Sequence, residues 1–182
     1  MIKVGKRFLE RLKRKMDAIE KARLAQLERC VPDIWDYKNV FYIGAGSYRH
    51  HFFDTMKEHK LVVDVVEVDK ESCYWLRENQ SWLNRVMCDD VRDVQIKKRY
   101  DVTLWSHGVE TIPKKTGKFI IGKCEQWTKS IVVFMVPYGD AGGTGNISVW
   151  YPEDFQELGY KTDTIGNKDE RNSNLLAYKY IR

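Results

Sequence analysis

The sequence predicts an α/β protein whose doubly wound, mostly parallel sheet carries helices on both faces and ends in an antiparallel hairpin. Three observations predict this fold: apolar runs alternate with helical patterns from residue 40 onward, a Gly-x-Gly turn follows the first run, and two strand-like runs close the chain. Alternation at these lengths requires crossover connections, which make consecutive strands parallel. Because 182 residues suffice for one core, we expect one domain and an appendage.

Composition describes an ordinary globular protein, with 43% hydrophobic and 31% charged residues. The longest apolar runs are far shorter than the ~20 residues that span a bilayer, and the basic N-terminus lacks the apolar core of a secretory signal. The four cysteines lie far apart without a C-x-x-C pair, which favours reduced thiols over disulfides or a metal site. We therefore expect a cytoplasmic protein with no membrane association and no bound metal.

The appendage is a long amphipathic helix over residues 3–29, which ends before Pro32. The apolar residues expected on one face are Val4, Phe8, Leu12, Met16, Ile19 and Leu27. Residues 1–29 hold ten Lys and Arg against four Asp and Glu, so the net positive charge of the chain comes from this segment. Such a helix can bind an anionic partner, most simply nucleic acid, or can simply cover one side of the domain. We divide the chain into this helix, 1–32, and a domain, 33–182.

The domain begins with the apolar run Val40–Ile43, and the Gly-x-Gly turn follows at Gly44, Ala45, Gly46 and Ser47. A side chain at either glycine would block a ligand, so backbone N–H groups in this turn can approach a nucleotide. The turn alone is weak evidence, because any tight connection between a strand and a helix can use it. A helix is expected next, over 48–58.

Acidic and polar residues follow the next strands. Glu67 ends the run 62–66, twenty-one positions after Gly46, and an acid ~20 residues past such a turn accepts hydrogen bonds from ribose hydroxyls. After a helix over 70–80, the runs 85–88 and 101–105 lead to Asp90 and Ser106. Ligands of parallel sheets lie beyond the carboxyl ends of the strands, so we expect these residues to share one crevice.

The second half of the domain continues the alternation. The expected elements are a helix over 114–128, a strand over 131–136, a glycine-rich loop over 139–145, a helix over 152–158 and strands over 160–164 and 175–181. The glycine-rich loop is interpreted either as a lid over the crevice or as a mobile connector. The last two strands, joined by a polar turn, predict an antiparallel hairpin.

Together these motifs resemble the class I S-adenosylmethionine-dependent methyltransferases, as a small stand-alone member, from about Val40 to the C-terminus. The resemblance implies a Rossmann-like sheet of seven strands and S-adenosyl-L-methionine as the cofactor. Tyr42 stands where the family's first motif has an acid, and Tyr48 where it has a third glycine. The segment Tyr100–Glu110 is similar to the family's fourth motif in its S-H-x-x-E-H form, with Thr111 in place of the last histidine.

The resemblance also implies roles for individual residues. The implied cofactor-binding residues are Gly44, Ala45, Gly46, Ser47, Glu67, Val68, Asp90, Val91, Ser106 and His107. Glu67 would bind the ribose hydroxyls, with Asp69 as the nearby alternative. Asp90 would accept a hydrogen bond from the adenine amino group, while Ser106 and His107 would lie beside the transferred methyl.

Methyl transfer from a sulfonium is a direct displacement, so the protein has to align donor and acceptor and take up a proton. His107 is the candidate catalytic base, because an imidazole titrates near neutral pH. His50 and His51 are alternatives, and a structural role is the competing interpretation for each. The sequence contains neither an Asn/Asp-Pro-Pro-Tyr/Phe motif nor a Pro-Cys pair, which disfavours base amino groups and pyrimidine C5 as acceptors.

The acceptor stays open between RNA or a nucleotide and a small molecule or protein side chain. Trp105, Trp127 and Trp150 are expected to help recognise it, since bases stack on aromatic faces. Two other functions also stay open: a non-catalytic nucleic-acid-binding module on the same fold, and a nicotinamide-dependent oxidoreductase. The latter is disfavoured because the third glycine of its turn and a catalytic Tyr-x-x-x-Lys are missing.

Overall fold

The computed structural model describes residues 6–46, 50–141 and 145–181, with backbone alone for residues 6–13 and His50. The helices of this part are α1 (Lys6–Cys30), α2 (His50–Glu58), α3 (Lys70–Asn79), α4 (Lys114–Trp127) and α5 (Pro152–Gln156). Its strands are β1 (Asn39–Ile43), β2 (Val62–Glu67), β3 (Arg85–Cys88), β4 (Tyr100–Ser106), β5 (Thr128–Val136), β6 (Lys161–Ile165) and β7 (Asn174–Tyr180). A short 3-10 turn, Val109–Thr111, follows β4.

The strands form one seven-stranded sheet in the order β3-β2-β1-β4-β5-β7-β6. Strands β1 to β5 are parallel to their neighbours, whereas β7 runs antiparallel to both β5 and β6. The predicted mostly parallel sheet with a C-terminal antiparallel hairpin is therefore confirmed. The strand order reverses between β1 and β4, and ligands of open α/β sheets bind at such a switch point.

Successive side chains of the strands point to opposite faces of the sheet and so pack into two apolar cores, one on each face. In β1, Tyr42 points into the core shared with helices α1, α2 and α3, while Phe41 points into the core shared with α4 and α5. Both faces are thus covered by helices, as the doubly wound arrangement predicts. The carboxyl ends of the strands remain as the edge where polar side chains can gather.

Helix α1 packs on the domain through its second half. Leu27 is fully buried in the core of the α1–α3 face, whereas the side chains of residues 14–18 are all exposed. Met16, expected on the apolar face, is 47% exposed, so the described residues cover this face near Leu27 but not at Met16. The side chains of Val4, Phe8 and Leu12 lie outside the described residues.

A buried carboxylate joins the strands near their amino ends. The Asp64 side chain in β2 is 2% exposed and accepts hydrogen bonds from Tyr100 Oη at 2.7 Å and Asn84 Nδ2 at 2.6 Å. Lys98 Nζ lies 2.8 Å from the same carboxylate. Burial raises the pKa of Asp64, but these three donors outweigh it and leave the pKa below its ordinary value.

Three features are absent from the part of the chain that the structure describes. None of its helices is long and apolar enough to cross a membrane. No group of three or more His, Cys, Asp or Glu in this part is arranged to hold a metal ion. Disulfides are absent as well, since Cys30, Cys73, Cys88 and Cys124 are all free thiols.

Candidate active site

A cleft of about 260 Å³ opens at the carboxyl ends of β1, β2, β3 and β4, at the switch point of the sheet. The residues that line it include Gly44, Val68, Asp90, Val91, Trp105 and Gly108. Each lies near or just after the carboxyl end of one of these strands, because parallel strands bring these ends to one edge. Of the four residues predicted to share a crevice, Gly44 and Asp90 line this cleft, whereas Glu67 and Ser106 lie next to residues that line it and are not part of the lining themselves.

The glycine turn has the backbone that only glycine adopts freely. Gly44 and Gly46 have φ values of 66° and 58°, in the left-handed region that side chains disfavour. A Cβ built on Gly44 would lie 3.6 Å from Trp105 Nε1, whereas one on Gly46 would meet none of the described residues within 4 Å. Ala45 is fully buried, and it is not among the residues that line the cleft. Ser47 lies outside the described residues.

Glu67 ties the end of β2 to this turn. Its side chain is almost buried, with Oε2 accepting from the backbone N–H of Gly46 at 2.8 Å and Oε1 from that of Asp69 at 2.9 Å. Each carboxylate oxygen has a second lone pair for a ligand donor. Asp69, the alternative acid, instead caps α3 by accepting from the Ser72 N–H at 2.7 Å. Glu67 is thus the acid that faces the turn.

At the end of β3, Asp90 forms a bidentate ion pair with Arg92. Arg92 Nε lies 2.9 Å from each oxygen of Asp90, and Nη2 lies 2.6 Å from Oδ2. The Arg92 guanidinium holds the pKa of the Asp90 carboxyl below its ordinary value. Arg92 also lines the cleft beside Val91. Sequence reasoning missed Arg92, although its position two residues after an acid in a turn was a usable signal.

Strand β4 ends at Ser106, and His107 follows it, so both residues lie at the carboxyl-end edge of the sheet. Ser106 is fully buried, and its Oγ has no hydrogen-bond partner among the described residues. His107 has a φ of 54°, rare for a residue with a side chain, and its N–H donates to Met135 O in β5 at 2.8 Å. From this position the imidazole reaches β7, where Nε2 lies near the side chain of Asn174.

The imidazole of His107 has polar groups at both ring nitrogens. Nε2 lies 3.0 Å from Asn174 Oδ1 in β7, and Nδ1 lies 3.4 Å from Glu110 Oε1. Glu110 is itself buried, and its Oε2 has no hydrogen-bond partner in the described part of the chain. Asn174 was not predicted, because nothing in the local sequence links it to a histidine 67 positions away.

The other candidate histidines are placed differently. His51 forms a short contact with Asp17 of α1 and so links α2 to that helix. The side chain of His50 lies outside the described residues. Among the described side chains of these three histidines, that of His107 is the one next to a buried titratable group, the carboxylate of Glu110.

Solved structures share this architecture, although no protein-family model and no curated protein sequence matches the chain. The N-methyltransferase NodS from Bradyrhizobium japonicum WM9, in complex with S-adenosyl-L-homocysteine (SAH), aligns with a TM-score of 0.70 and 15% identity over 90% of this chain and 87% of that one. Magnesium protoporphyrin IX methyltransferase ChlM from Synechocystis PCC 6803, with bound SAH, aligns with a TM-score of 0.68 and 10% identity over 100% and 90%. The chain has the class I methyltransferase fold.

A third structure agrees with this assignment. A SAM-dependent methyltransferase from Archaeoglobus fulgidus aligns with a TM-score of 0.64 and 15% identity, over 88% of this chain and 94% of that chain. The Rossmann-like, seven-stranded arrangement that the sequence motifs imply is therefore confirmed as a fold.

Two aromatic features differ from expectation within this methyltransferase fold. Trp127 and Trp150 are buried in the core of the α4–α5 face, so the prediction that they recognise an acceptor is wrong; their size favours packing over exposure. Trp105 does line the cleft. Tyr42, at the position of the family's acid, is fully buried and packs on Phe53 with ring centroids 5.6 Å apart.

Proposed function

We propose that this protein is an S-adenosylmethionine-dependent methyltransferase that transfers a methyl group by direct displacement. The observation that carries the proposal is the hydrogen bond from Gly46 N–H to Glu67 Oε2 at the switch point of the sheet. It fixes an acid beside a glycine turn whose backbone is open to a ligand. Bound SAH in the structures of NodS and ChlM supports the choice of cofactor.

The residues in the cleft and next to it fit such a cofactor. We propose that the backbone of Gly44–Gly46 lies against its methionine end and that Glu67 accepts from its ribose hydroxyls. Val68, Val91 and Trp105 supply apolar walls for a planar base, and Asp90 supplies a carboxylate at the end of β3. The buried Oγ of Ser106 lacks a partner among the described residues, so a bound ligand would complete its hydrogen bonding.

S-adenosylmethionine supplies the activated methyl group, so the residues of the chain need only align the acceptor, exclude water and accept a proton. We propose His107 as the base, next to the buried carboxylate of Glu110. A carboxylate near Nδ1 stabilises the imidazolium that forms when the base takes a proton. The turn after β4 holds both groups at one edge of the sheet.

For the acceptor, we keep RNA or a nucleotide beside a small molecule. Arg14 and Lys15 of α1 are exposed, which supports an anionic partner at the helix that we separate from the domain. The burial of Trp127 and Trp150 removes two stacking surfaces, which favours a small molecule. The four free cysteines agree with the proposed cytoplasmic location.

A non-catalytic binding module is the second candidate. The ion pair between Asp90 and Arg92 favours it, because a ligand amino group would have to compete with a charged guanidinium for the Asp90 carboxylate. In that case the fold would be retained without cofactor turnover, and the basic helix would carry the function.

Calorimetric titration with S-adenosylmethionine and SAH tests the proposal. We expect binding to the wild type and about ten- to a hundredfold weaker binding to Glu67→Gln, because a hydrogen bond to a charged group is worth about 1.5–3 kcal/mol. Glu71→Gln is the matched control, since Glu71 is exposed on the next helix. A folded wild type that binds neither ligand would leave the binding module as the function.

A further inference from the structure

A continuous chain of hydrogen bonds between side chains links helix α1 and the terminal hairpin to His107. Gln26 Nε2 donates to the carbonyl oxygen of Asp163 at 3.1 Å and to its Oδ2 at 2.9 Å. Asn174 Nδ2 donates to Gln26 Oε1 at 2.8 Å, and Asn174 Oδ1 lies 3.0 Å from His107 Nε2. Gln26 and Asn174 are both fully buried, so water does not compete with these bonds.

The chemistry at the far end fixes the direction of every bond. The carbonyl oxygen of Asp163 can only accept, and Arg29 Nη2 pairs with the same residue's carboxylate at 2.6 Å. Gln26 must therefore turn its NH2 group towards Asp163 and its oxygen towards Asn174. Asn174 must in turn donate to that oxygen, which leaves its own oxygen facing the imidazole. An amide oxygen cannot donate, so His107 carries a proton on Nε2.

This direction leaves one position on the ring for proton exchange. Nδ1 faces Glu110, a titratable group of the turn after β4, whose Oε1 lies 3.4 Å away. From β7 the ring meets the amide of Asn174, and the charged pair of Asp163 and Arg29 lies beyond Gln26. Without the amide chain, a neutral imidazole would favour a proton on Nδ1, where it could donate to the Glu110 carboxylate. The amide chain opposes that arrangement.

We propose that Gln26 and Asn174 are positioning residues that hold neutral His107 in the form protonated at Nε2. When the acceptor releases a proton, its bond to hydrogen breaks and a bond from hydrogen to Nδ1 forms, next to Glu110. The catalytic part of this inference rests on the proposed methyl transfer. The protonation state itself does not, because it follows from contacts within the chain.

Nitrogen-15 NMR of the imidazole rings in the full-length protein, without cofactor, tests the proposal at a pH where His107 is neutral. The chain has four histidines, and a His107→Asn variant assigns the signals. In the wild type we expect a protonated-type signal for Nε2 and an unprotonated-type signal for Nδ1. The reverse pattern in the wild type would overturn the proposal, whatever the variants do.

Gln26→Met removes the amide while keeping an unbranched side chain of similar length. We expect the two signal types of His107 to exchange or to average, because Asn174 is then free to turn its amide. Gln156→Met is the matched control: Gln156 also donates to a side chain of the hairpin region, Thr162 Oγ1 at 2.8 Å, but has no link to His107. Unchanged His107 signals in folded Gln26→Met would contradict the proposal.

Asn174→Asp provides the conservative rescue, because a carboxylate still accepts from Nε2. We expect it to retain the wild-type pattern, and a proton on Nδ1 in this folded variant would count against the proposal. SAH titration of the same samples tests cofactor binding separately from the protonation of His107, since Gln26 does not line the cleft. A wild type that fails to bind SAH but shows the expected NMR pattern would contradict the methyl transfer alone.

Discussion

The indole of Trp105 shows how single residues shape the cleft. A Cβ on Gly108 would lie 2.2 Å from Trp105 Nε1, too close for any side chain, and one on Gly44 would lie 3.6 Å from the same atom. Gly108 has a φ of −155°, which residues with side chains also adopt. Glycine is therefore required here because the indole occupies the space that a side chain would need. The wall of the cleft therefore depends on a glycine in the turn after β4.

Gly108→Ala should displace the indole towards the cleft. We expect a decrease of about 1–3 kcal/mol in the free energy of unfolding, as for overpacked cores, together with weaker SAH binding. Urea denaturation measures the first effect and calorimetry the second. Gly122→Ala is the control, because Gly122 lies in α4 with nothing within 4 Å of a new Cβ; it should gain roughly 0.5–1 kcal/mol. Equal stability of the two variants would contradict this view of Trp105.

At the scale of elements, hydrophobic runs and turn residues predict the strands and helices closely. Strand β2 was expected over 62–66 and spans Val62–Glu67, because its side chains are almost all buried and its run of valines is interrupted by Asp64 alone. Glu67, Asp90 and Ser106 could be placed at one edge since parallel strands end together. Gln26 and Asn174 could not, because residues 148 positions apart share no local pattern.

Helix α1 presents its basic side chains where they can meet an anionic partner. We expect Arg14→Gln/Lys15→Gln to weaken binding of single-stranded RNA and to reduce the dependence of log K on log salt by about 0.7 for each phosphate that the helix no longer neutralises. Fluorescence anisotropy at several salt concentrations measures both. Lys97→Gln/Lys161→Gln removes the same charge from exposed positions elsewhere. Equal effects of the two double variants would show that α1 is no specific docking site.

For the whole molecule, the acidic side chains predict how stability depends on pH. Five described carboxyls have a pKa below the ordinary value: Asp17, Asp64, Asp69, Asp90 and Asp101. A lowered pKa in the folded state contributes stability above the unfolded value of about 3.9, and that contribution disappears as pH falls through the folded value. Stability should therefore decline steeply below about pH 4.

Asp64 is the buried member of this group, so its substitution should matter most. Asp64→Asn should lower the free energy of unfolding at pH 7 by about 1–3 kcal/mol, because a charged acceptor of three donors is replaced. The decline between about pH 4 and pH 2 should also become shallower. Urea denaturation across this range measures both effects, with Asp54→Asn at an exposed position as the control. An unchanged acid slope in Asp64→Asn would contradict the role assigned to this carboxylate.

The place of β7 in the sheet has a consequence for how the chain acquires its function during synthesis. Strand β7 comes last in sequence among the seven strands of the described residues, yet it lies inside the sheet, between β5 and β6. Pairing of β6 with the sheet through β7 must therefore wait until β7 has left the ribosome, and such distant pairings form slowly. Asn174 begins this strand and contacts His107. A nascent chain can thus form its glycine turn before β7 is synthesised, whereas the contact between Asn174 and the proposed base His107 can form only afterwards.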